Sequence, residues 1–424
     1  MQNITEENLT KLRLWFILYI TIIDWLRWLQ EMFFMTISAS DIQKKMAPAA
    51  TFRFSAPGRT EISGNQVDHQ HGCVLAAAVN LETVAEVTLN GADVICVDSE
   101  GYPRVTVDLQ DLALREEEKN TTAALVRGVA AKFAQRGCKL QGFHAKVRST
   151  VLPGSGLSSS AAFEVLMATI CNELFFDSKL SPVEVAQIGQ WAENVYFGKP
   201  CGLLDQMASA VGGMVFMDFE DPANPRVERL DFDFTAAGYA LCILDTGADH
   251  AGMTGEYAAV PGELKALSAL FGKEVLRQIP EETFWAELPR IRHQVPDRAI
   301  LRAVHFYQEN KRVLAQVKAL RENDLDTFLQ LVKESGRSSW MYVQNVIPAG
   351  AVAHQDMALT LALCDSLLGD RGAYRVHGGG FAGTVQAFVP MDLLEMFIEK
   401  MEAVLGKGSC HVLSIRSAGS GRQR

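Results

Sequence analysis

The sequence has no run of basic residues, and its formal net charge is −10 over 424 residues. A protein whose main partner is nucleic acid usually carries a basic patch, so that class of partner is disfavoured. Hydrophobic residues make up 48% of the chain and charged residues 21%, which is typical of a folded globular protein. The length allows two or more domains, each with its own core.

None of the eight cysteines forms a Cys-X-X-Cys pair, so the spacing gives no indication of a zinc site or a redox motif. Most of them lie within apolar runs, where a thiol packs as a small hydrophobic group. We therefore expect buried free thiols and a reducing compartment, the cytoplasm. The cysteines are Cys73, Cys96, Cys138, Cys171, Cys201, Cys242, Cys364 and Cys410.

The sequence also lacks an apolar run long enough to cross a bilayer. The strongest candidate, residues 14–23, is too short and is followed by charged residues. Lys11 and Arg13 before it resemble the start of a signal peptide, and residues 37–40 resemble a weak cleavage site. We expect residues 1–50 to form an amphipathic helix or an atypical extension ahead of the first domain. Whether this segment touches a membrane is left open by the sequence.

The most informative stretch is the loop Val151-Leu-Pro-Gly-Ser-Gly-Leu-Ser-Ser-Ser-Ala-Ala162. Residues 143–148 before it alternate as a half-buried strand does, and residues 160–174 after it have helical spacing. Glycines let the backbone approach a ligand closely, and free N–H groups at a helix start favour an anion. We interpret the loop as a phosphate site, although the Gly-Lys-Ser/Thr ending of a Walker A loop is absent. The alternative is a well-capped turn between strand and helix.

Strand-like and helical segments are mixed along the rest of the chain, without internal repeats. Residues 239–245 have the pattern of a strand, whereas residues 121–135 have helical spacing. A polar, proline-containing stretch at 221–238 separates the two halves. We predict domains at 51–230 and 231–424, of the α/β or α+β class, with a ligand in the cleft between them.

The segment from Pro57 to Gly72 concentrates polar side chains between glycines. Asn, Gln, Asp and His supply both donors and acceptors, as several hydroxyls of a sugar require. Two histidines two positions apart, with no clear third ligand, do not favour a metal site. The alternative is a polar surface loop. The polar residues are Arg59, Glu61, Asn65, Gln66, Asp68, His69, Gln70 and His71.

Asp205 lies inside an otherwise apolar segment, after a Pro-Cys-Gly turn. A carboxylate there is costly unless it is paired, and an arginine is the expected partner. A paired, ionised aspartate beside a hydroxyl can orient it, or accept its proton as it attacks phosphorus. The alternative is an aspartate that caps a helix. Further on, four glycines among residues 377–383 imply close backbone approach to a ligand or to another loop.

Four motifs occur in order: Ala56-Pro-Gly-Arg59, the glycine–serine loop, Pro200-Cys-Gly-Leu-Leu-Asp-Gln206 and His377-Gly-Gly-Gly-Phe-Ala-Gly383. In this combination the chain resembles the galactokinases of the GHMP kinase superfamily, over residues 52–415. The resemblance implies a two-domain α+β fold with mixed or antiparallel sheets and an active site in the interdomain cleft. It also implies a kinase that uses ATP and Mg²⁺ to phosphorylate the anomeric hydroxyl of galactose.

The resemblance assigns roles to individual residues. Asp205 matches the catalytic aspartate, and Arg59 matches its partner arginine. Ser160 and Glu193 match the magnesium-binding positions. The phosphate-binding loop corresponds to Gly154, Ser155, Gly156, Leu157, Ser158, Ser159 and Ser160. The positions expected to meet the sugar are Asn65, Gln66, Asp68, His69, Gly202 and Tyr257.

The chain departs from the family pattern at the sugar end. Typical galactokinases have Gly-Glu-His-Thr-Asp-Tyr where this chain has Gly64-Asn-Gln-Val-Asp-His69, and their usual asparagine is Glu61 here. An amide in place of a carboxylate removes a charge-assisted hydrogen bond but can still bond sugar hydroxyls. Phosphoryl transfer is therefore expected, with galactose or another sugar, such as N-acetylgalactosamine or arabinose, as acceptor. A non-catalytic sugar and ATP sensor would lack Asp205, Arg59 or the serine loop, and none of these is missing.

Overall fold

The computed structural model describes residues 19, 21–28, 50–151, 156–248 and 253–423. The chain divides into two compact units, Met1–Ala50 and Thr51–Arg424. In the first unit residues 21–28 are helical, and most of the predicted extension lies outside the described residues. Across the described part of the chain, no helix is both long and apolar enough to cross a membrane.

The larger sheet of the second unit has eight strands. They are β1 (Thr51–Ser63), β2 (Cys73–Leu89), β3 (Val94–Ser99), β4 (Val105–Asp108), β5 (Phe143–Ser149), β6 (Met214–Asp218), β7 (Arg226–Leu230) and β12 (Gly421–Gln423). The order is β12-β1-β2-β5-β3-β4, and β6 pairs with both β2 and β7. β3 and β5 pair in parallel, whereas the other pairs are antiparallel.

Four helices accompany this sheet: α1 (Thr122–Gln135), α2 (Ser159–Phe175), α3 (Pro182–Trp191) and α4 (Leu204–Val211). α2 and α4 both contact β1 and β2, so the loop before α2 and the first turn of α4 lie over the same strands. The predicted helix starts are confirmed. The Thr121 hydroxyl accepts from the N–H of Ala124, and Ser181 forms a reciprocal capping box with Glu184.

The smaller sheet has the order β11-β8-β10-β9 and is antiparallel throughout. Its strands are β8 (Tyr239–Asp245), β9 (Ala373–His377), β10 (Thr384–Pro390) and β11 (Cys410–Leu413). The helices of this half are α5 (Thr254–Ala269), α6 (Glu281–Ile291), α7 (Asp297–Arg321), α8 (Leu325–Ser338), α9 (Asp356–Leu368) and α10 (Leu394–Leu405). The α+β class is confirmed. The chain changes sheet between Leu230 and Tyr239, and the domain boundary at 230/231 stays a prediction.

β1 is irregular where it approaches the polar segment of the sequence. Its register against β2 shifts between Pro57 and Arg59 and again between Glu61 and Ser63. Such bulges re-aim side chains out of the regular alternation. The strand is buried continuously from Phe54 onward, so these shifts bring charged side chains into the interior.

All eight cysteines are free thiols, as expected from the sequence. Five of them are buried and three are partly buried. Burial raises the pKa of the Cys73 thiol to about 11, so it stays protonated at neutral pH. These thiols pack as small apolar groups.

Candidate active site

The serine-rich loop leads into α2, and its last residue before the helix has a strained backbone. Ser158 has a left-handed backbone with φ of 58°, and its hydroxyl does not cap the helix. Instead the hydroxyl donates to Asp205 Oδ2 at 2.6 Å. Non-glycine residues with positive φ are uncommon and often mark functional sites. The loop thus contacts the predicted catalytic aspartate directly. Gly154 and Ser155 lie outside the described residues.

Gly156 occupies a place where only glycine fits. Its φ is 69°, and an added Cβ would lie 2.5 Å from Thr384 Oγ1 and 3.0 Å from His377 Nδ1. The next residue, Leu157, is fully buried, and its carbonyl accepts from the N–H of Arg59 at 3.0 Å. The loop is therefore pinned between β1 and the end of β9.

Arg59 and Asp205 form the ion pair that the sequence predicts. Arg59 Nε donates to Asp205 Oδ1 at 2.6 Å, and Nη1 donates to the Gly156 carbonyl. The arginine side chain is 9% exposed, whereas the aspartate side chain is 33% exposed. Burial raises the pKa of Asp205, but Arg59 and the Ser158 hydroxyl outweigh it and hold that pKa below its ordinary value. Asp205 is thus ionised and partly accessible at neutral pH.

Glu193 lies beside this pair in a cluster of polar groups. It is on a π-helical turn, Ala192–Phe197, and is 3% exposed. Lys199 Nζ is 3.1 Å from its Oε1, and Gln206 Nε2 donates to its Oε2 at 2.8 Å. The same Gln206 nitrogen donates to Glu164 Oε2 at 3.0 Å. Burial, and then the charge of Glu193, raise the pKa of Glu164 well above its ordinary value.

The magnesium expectation has a partial structural basis. No group of three or more His, Cys, Asp or Glu side chains in the described residues is arranged to hold a metal. Mg²⁺, however, is usually held by one or two carboxylates together with substrate phosphates. Glu164 Oε1 is buried without a partner in the described residues, close to Glu193. The Glu193 carboxylate and the Ser160 hydroxyl are oxygen donors of the type that Mg²⁺ prefers.

A cavity of about 420 Å³ opens at the start of α2. Ser159 and Ser160 line one side of it, and apolar side chains from α1 and β5 line others. A small apolar cavity with a few polar groups is typical of a small-molecule site. The other residues that line it are Thr83, Ser99, Glu100, Tyr102, Thr122, Leu125, Val147, Ser149, Val151, Phe163 and Phe197.

Asp68 and Gly202 lie directly against each other. A Cβ added at Gly202 would come within 1.7 Å of Asp68 Oδ2. Asp68 Oδ1 accepts from the N–H of His69 at 2.8 Å. Burial, followed by the charges of Asp205 and Glu61, raises the pKa of Asp68 to about 7. The two predicted sugar positions therefore adjoin the Asp205 carboxylate.

Gln66 and Tyr257 meet on the glycine turn at 378–380. Gln66 Nε2 donates to the Gly379 carbonyl at 3.1 Å, and the Tyr257 hydroxyl donates to the Gly380 carbonyl at 2.9 Å. A Cβ at Gly379 would lie 2.6 Å from the Tyr257 ring, so close packing requires glycine there. The His69 ring forms no hydrogen bond with this turn. Burial lowers its pKa to about 4, and both ring nitrogens are buried without a partner among the described residues.

Asn65 differs from the other predicted sugar positions because it is fully buried. Its Nδ2 donates to the Gly378 carbonyl at 2.6 Å, and its Oδ1 accepts from Asn345 Nδ2 at 3.0 Å. Its Oδ1 also accepts from Ser339 Oγ at 3.2 Å. These bonds favour a supporting position behind the turn at 378–380, whereas the sequence predicted a contact with sugar.

Several site residues have no role in the sequence-based prediction. Gln206 ends the motif at 200–206, and Lys199 comes directly before that motif. The sequence therefore places both residues near the site, but it does not predict their contacts with Glu193. Glu164 lies in α2, after the serine loop. Glutamate is common in helices, so its presence there gives no sign of a functional role. Asn345 carries no sequence signal.

Comparison with known proteins now identifies the family. The family signatures "GHMP kinases N terminal domain" and "Galactokinase galactose-binding signature" match residues 124–213 and 43–89. A galactokinase from Streptomyces coelicolor is 30% identical over 376 residues, covering 87% of this chain and 93% of the relative. One from Actinobacillus pleuropneumoniae is 32% identical, covering 80% and 85%. The chain belongs to the galactokinase family.

This chain has the same fold as several solved kinase structures. Lactococcus lactis galactokinase complexed with galactose superposes with a TM-score of 0.75 at 24% identity, covering 88% of this chain and 95% of that chain. A mevalonate kinase superposes with a TM-score of 0.60 at 12% identity, covering 86% and 99%. The fold expectation is therefore confirmed. The galactose-binding signature begins at residue 43, slightly ahead of the start that the sequence motifs gave, at about residue 52.

The contact between Gly202 and Asp68 gives a first prediction for this galactokinase-family chain. In Gly202→Ala the new methyl group must displace the Asp68 carboxylate. We expect the KM for galactose to rise about tenfold or more, the effect of a loss of about 1.4 kcal/mol of binding. The KM for ATP should change little. Steady-state kinetics with each substrate varied in turn measures both constants.

Gly262→Ala is the matched control, since a Cβ at that position of α5 meets nothing within 4 Å. It should leave the KM for galactose as in the parent chain. A Gly202→Ala variant with an unchanged KM for galactose would show that Asp68 does not contact the sugar.

Proposed function

We propose that this chain transfers the γ-phosphoryl group of ATP to the anomeric hydroxyl of galactose. The observation that carries the proposal is the ionised, partly exposed Asp205. Its two carboxylate oxygens accept hydrogen bonds at 2.6 Å from Arg59 Nε and from the hydroxyl of Ser158, the residue before α2. Phosphoryl transfer depends on positioning and charge stabilisation more than on covalent catalysis by the protein. Membership of the galactokinase family supports the reaction class.

In this proposal Asp205 orients the acceptor hydroxyl and takes its proton as the oxygen attacks phosphorus. The P–O bond to ADP breaks as the new P–O bond forms, and the proton remains on the carboxyl group until it passes to solvent. Arg59 has two functions. It keeps Asp205 ionised, and its cationic side chain would stabilise the negative charge that develops during the transfer.

The nucleotide is assigned to the cavity at the start of α2. Free N–H groups at a helix N-terminus and the hydroxyls of Ser158, Ser159 and Ser160 suit phosphate groups. Gly154, Ser155, Gly156 and Leu157 complete the predicted loop. Mg²⁺, when bound, would neutralise charge on the phosphates, and Ser160 and Glu193 would hold it. For Glu193 to do so, its carboxylate must exchange the Lys199 contact for the ion.

The sugar is assigned to the space bounded by Asp68, Gly202 and Asp205. Gln66 and Tyr257 fix the turn at 378–380 on its border, and His69 adjoins Asp68 in sequence. These groups come from both predicted domains, which supports a site in the cleft between 51–230 and 231–424. Asn65 is proposed to support the site from behind.

The cytoplasm is the proposed location. Eight free thiols, most of them buried, suit a reducing compartment. The proposed partners are small molecules, the sugar and ATP, and the net charge of −10 supports no role for nucleic acid.

The test is release of ADP by the full chain with a panel of free hexoses, hexosamines and pentoses. We expect sugar-dependent turnover that is highest with galactose. Faster turnover of N-acetylgalactosamine or arabinose would replace galactose with that sugar and keep the reaction. The sensor alternative requires galactose and ATP to bind, as measured by calorimetry, with no ADP released by any sugar.

A further inference from the structure

At positions 61 and 65, this chain has the same two residue types as the galactokinase pattern, but in the opposite order. The family usually has asparagine at the position of Glu61 and glutamate at that of Asn65. The sequence alone therefore suggested that the sugar end of the site had lost a carboxylate. The structure shows where the carboxylate of this chain lies.

The two exchanged side chains are in direct contact. Asn65 Nδ2 donates to Glu61 Oε1 at 3.1 Å. The same Nδ2 also donates to the Gly378 carbonyl, Oδ1 accepts from Ser339 and Asn345, and the residue has no exposed surface. Asn65 therefore fixes the orientation of the glutamate and has no free group to offer a ligand.

Glu61 is held on one side only. Arg375, which is fully buried, donates from Nη2 to Glu61 Oε1 at 2.9 Å and to the Glu61 carbonyl at 2.7 Å. The His377 ring nitrogen accepts from the Glu61 N–H at 3.2 Å. One oxygen of the carboxylate, Oε1, thus accepts from both Asn65 and Arg375.

The second oxygen, Oε2, is different. It has no hydrogen-bond partner among the described residues, and it is not among their enclosed polar atoms. The side chain keeps 9% of its surface exposed, although the residue as a whole is buried. Burial and the charge of Asp205 raise the pKa of Asp68 most, and the charge of Glu61 raises it further. The contacts of Glu61 with His377 and Asn65, and the bond from Asn65 to the Gly378 carbonyl, place this carboxylate beside the turn at 378–380, which borders the proposed sugar space.

We infer that Glu61 is a sugar-binding residue, whose Oε2 accepts a hydrogen bond from a hydroxyl of the sugar. The exchange with Asn65 moves the carboxylate along the chain and keeps it at the same pocket. Arg375 and Asn65 hold Oε1, which leaves Oε2 to accept from the sugar. A hydroxyl-rich neutral hexose is the class of ligand that fits two adjacent carboxyl groups, Glu61 and Asp68. This inference rests on the proposed function.

Glu61→Gln is the direct test, since it keeps the shape of the side chain and removes the charge. A hydrogen bond to a charged group is worth more than a neutral one, so we expect galactose binding to weaken about tenfold. Calorimetry with galactose and steady-state kinetics measure this independently of each other. The KM for ATP should stay within about twofold of the parent value, a change smaller than thermal energy.

A double variant with the family's order of asparagine and glutamate tests whether Glu61 binds the sugar or only pairs with Arg375. Glu61→Asn and Asn65→Glu alone should each weaken galactose binding about tenfold, because the first removes the carboxylate and the second crowds two of them. The double variant Glu61→Asn/Asn65→Glu should recover most of the parent affinity. A double variant that binds no better than the weaker single variant would overturn the inference.

The matched control is Glu118→Gln. It also removes a carboxylate from a buried arginine, Arg127, but it lies outside the sugar loop. It should lower the melting temperature and leave galactose affinity unchanged. If Glu61→Gln behaves in the same way, Glu61 is only structural and the inference is wrong. A parent chain that phosphorylates no sugar refutes the proposed function instead, and binding of galactose by calorimetry still tests Glu61.

Discussion

Asp205→Asn should reduce kcat by a factor of about 10² to 10⁴, the usual contribution of a positioned general base. The amide has nearly the same shape as the carboxylate and still accepts from Arg59 Nε. It cannot take the proton of the acceptor hydroxyl at neutral pH. ATP affinity should remain close to that of the parent, since the amide can still bond both Arg59 and Ser158 and so leaves the serine loop in place. Single-turnover kinetics and nucleotide titration measure the two quantities.

Asp218→Asn provides the matched control for this change. Asp218 also pairs with an arginine, Arg277, at 3.0 Å, and it lies on β6 away from the serine loop. We expect its kcat to stay close to the parent value. Comparable activity of Asp205→Asn and the parent would remove Asp205 from the catalytic role.

Arg59→Lys is expected to have the next largest effect, a loss of about 10² in kcat/KM. The figure corresponds to about 2.7 kcal/mol, within the range for losing one charge-stabilising donor in an active site. Lysine keeps the charge, but its ammonium is a point charge without the guanidinium fork. It has a single nitrogen, whereas Arg59 bonds Asp205 through Nε and the Gly156 carbonyl through Nη1.

The same variant should also shift the pH profile in a defined direction. Burial raises the pKa of Asp205, and Arg59 and Ser158 bring it below its ordinary value. A weaker partner at position 59 therefore lets the pKa of Asp205 rise, so that the base becomes protonated at a higher pH. The acid limb of the kcat/KM profile should move upward in pH. Arg277→Lys, which alters the pair with Asp218, should leave the limb in place.

An unchanged acid limb in Arg59→Lys, together with reduced activity, would mean that Arg59 acts on the phosphates alone. A limb that moves to lower pH would contradict the proposed pairing altogether, because it requires the pKa of Asp205 to fall when its cationic partner is weakened.

The elements that carry local signals could be predicted from the sequence. Ser181, Pro182 and Glu184 define the start of α3 because a capping box needs only neighbouring residues. The turn of the serine loop into α2 is marked in the same way by its glycines and serines. Pairing of Asp205 with an arginine also followed, since an isolated buried carboxylate is too costly to persist.

The sugar end could not be predicted in the same way. The partners of Asn65 are Gly378, Ser339 and Asn345, which lie far along the chain, and no local pattern encodes those contacts. The sequence therefore predicts that Asn65 contacts the sugar, and it shows Glu61 only as a polar residue that departs from the family pattern. Only tertiary structure shows that one oxygen of Glu61 is held and the other is open.

The most direct test of the central claim is the position of the transferred phosphate. The full chain is incubated with ATP, Mg²⁺ and galactose labelled with ¹³C at C1, and the product is analysed by ³¹P and ¹³C NMR. The proposed chemistry predicts a phosphate ester on C1, seen as coupling between phosphorus and the labelled carbon. Phosphate on C6, or ADP released without any sugar phosphate, would contradict it.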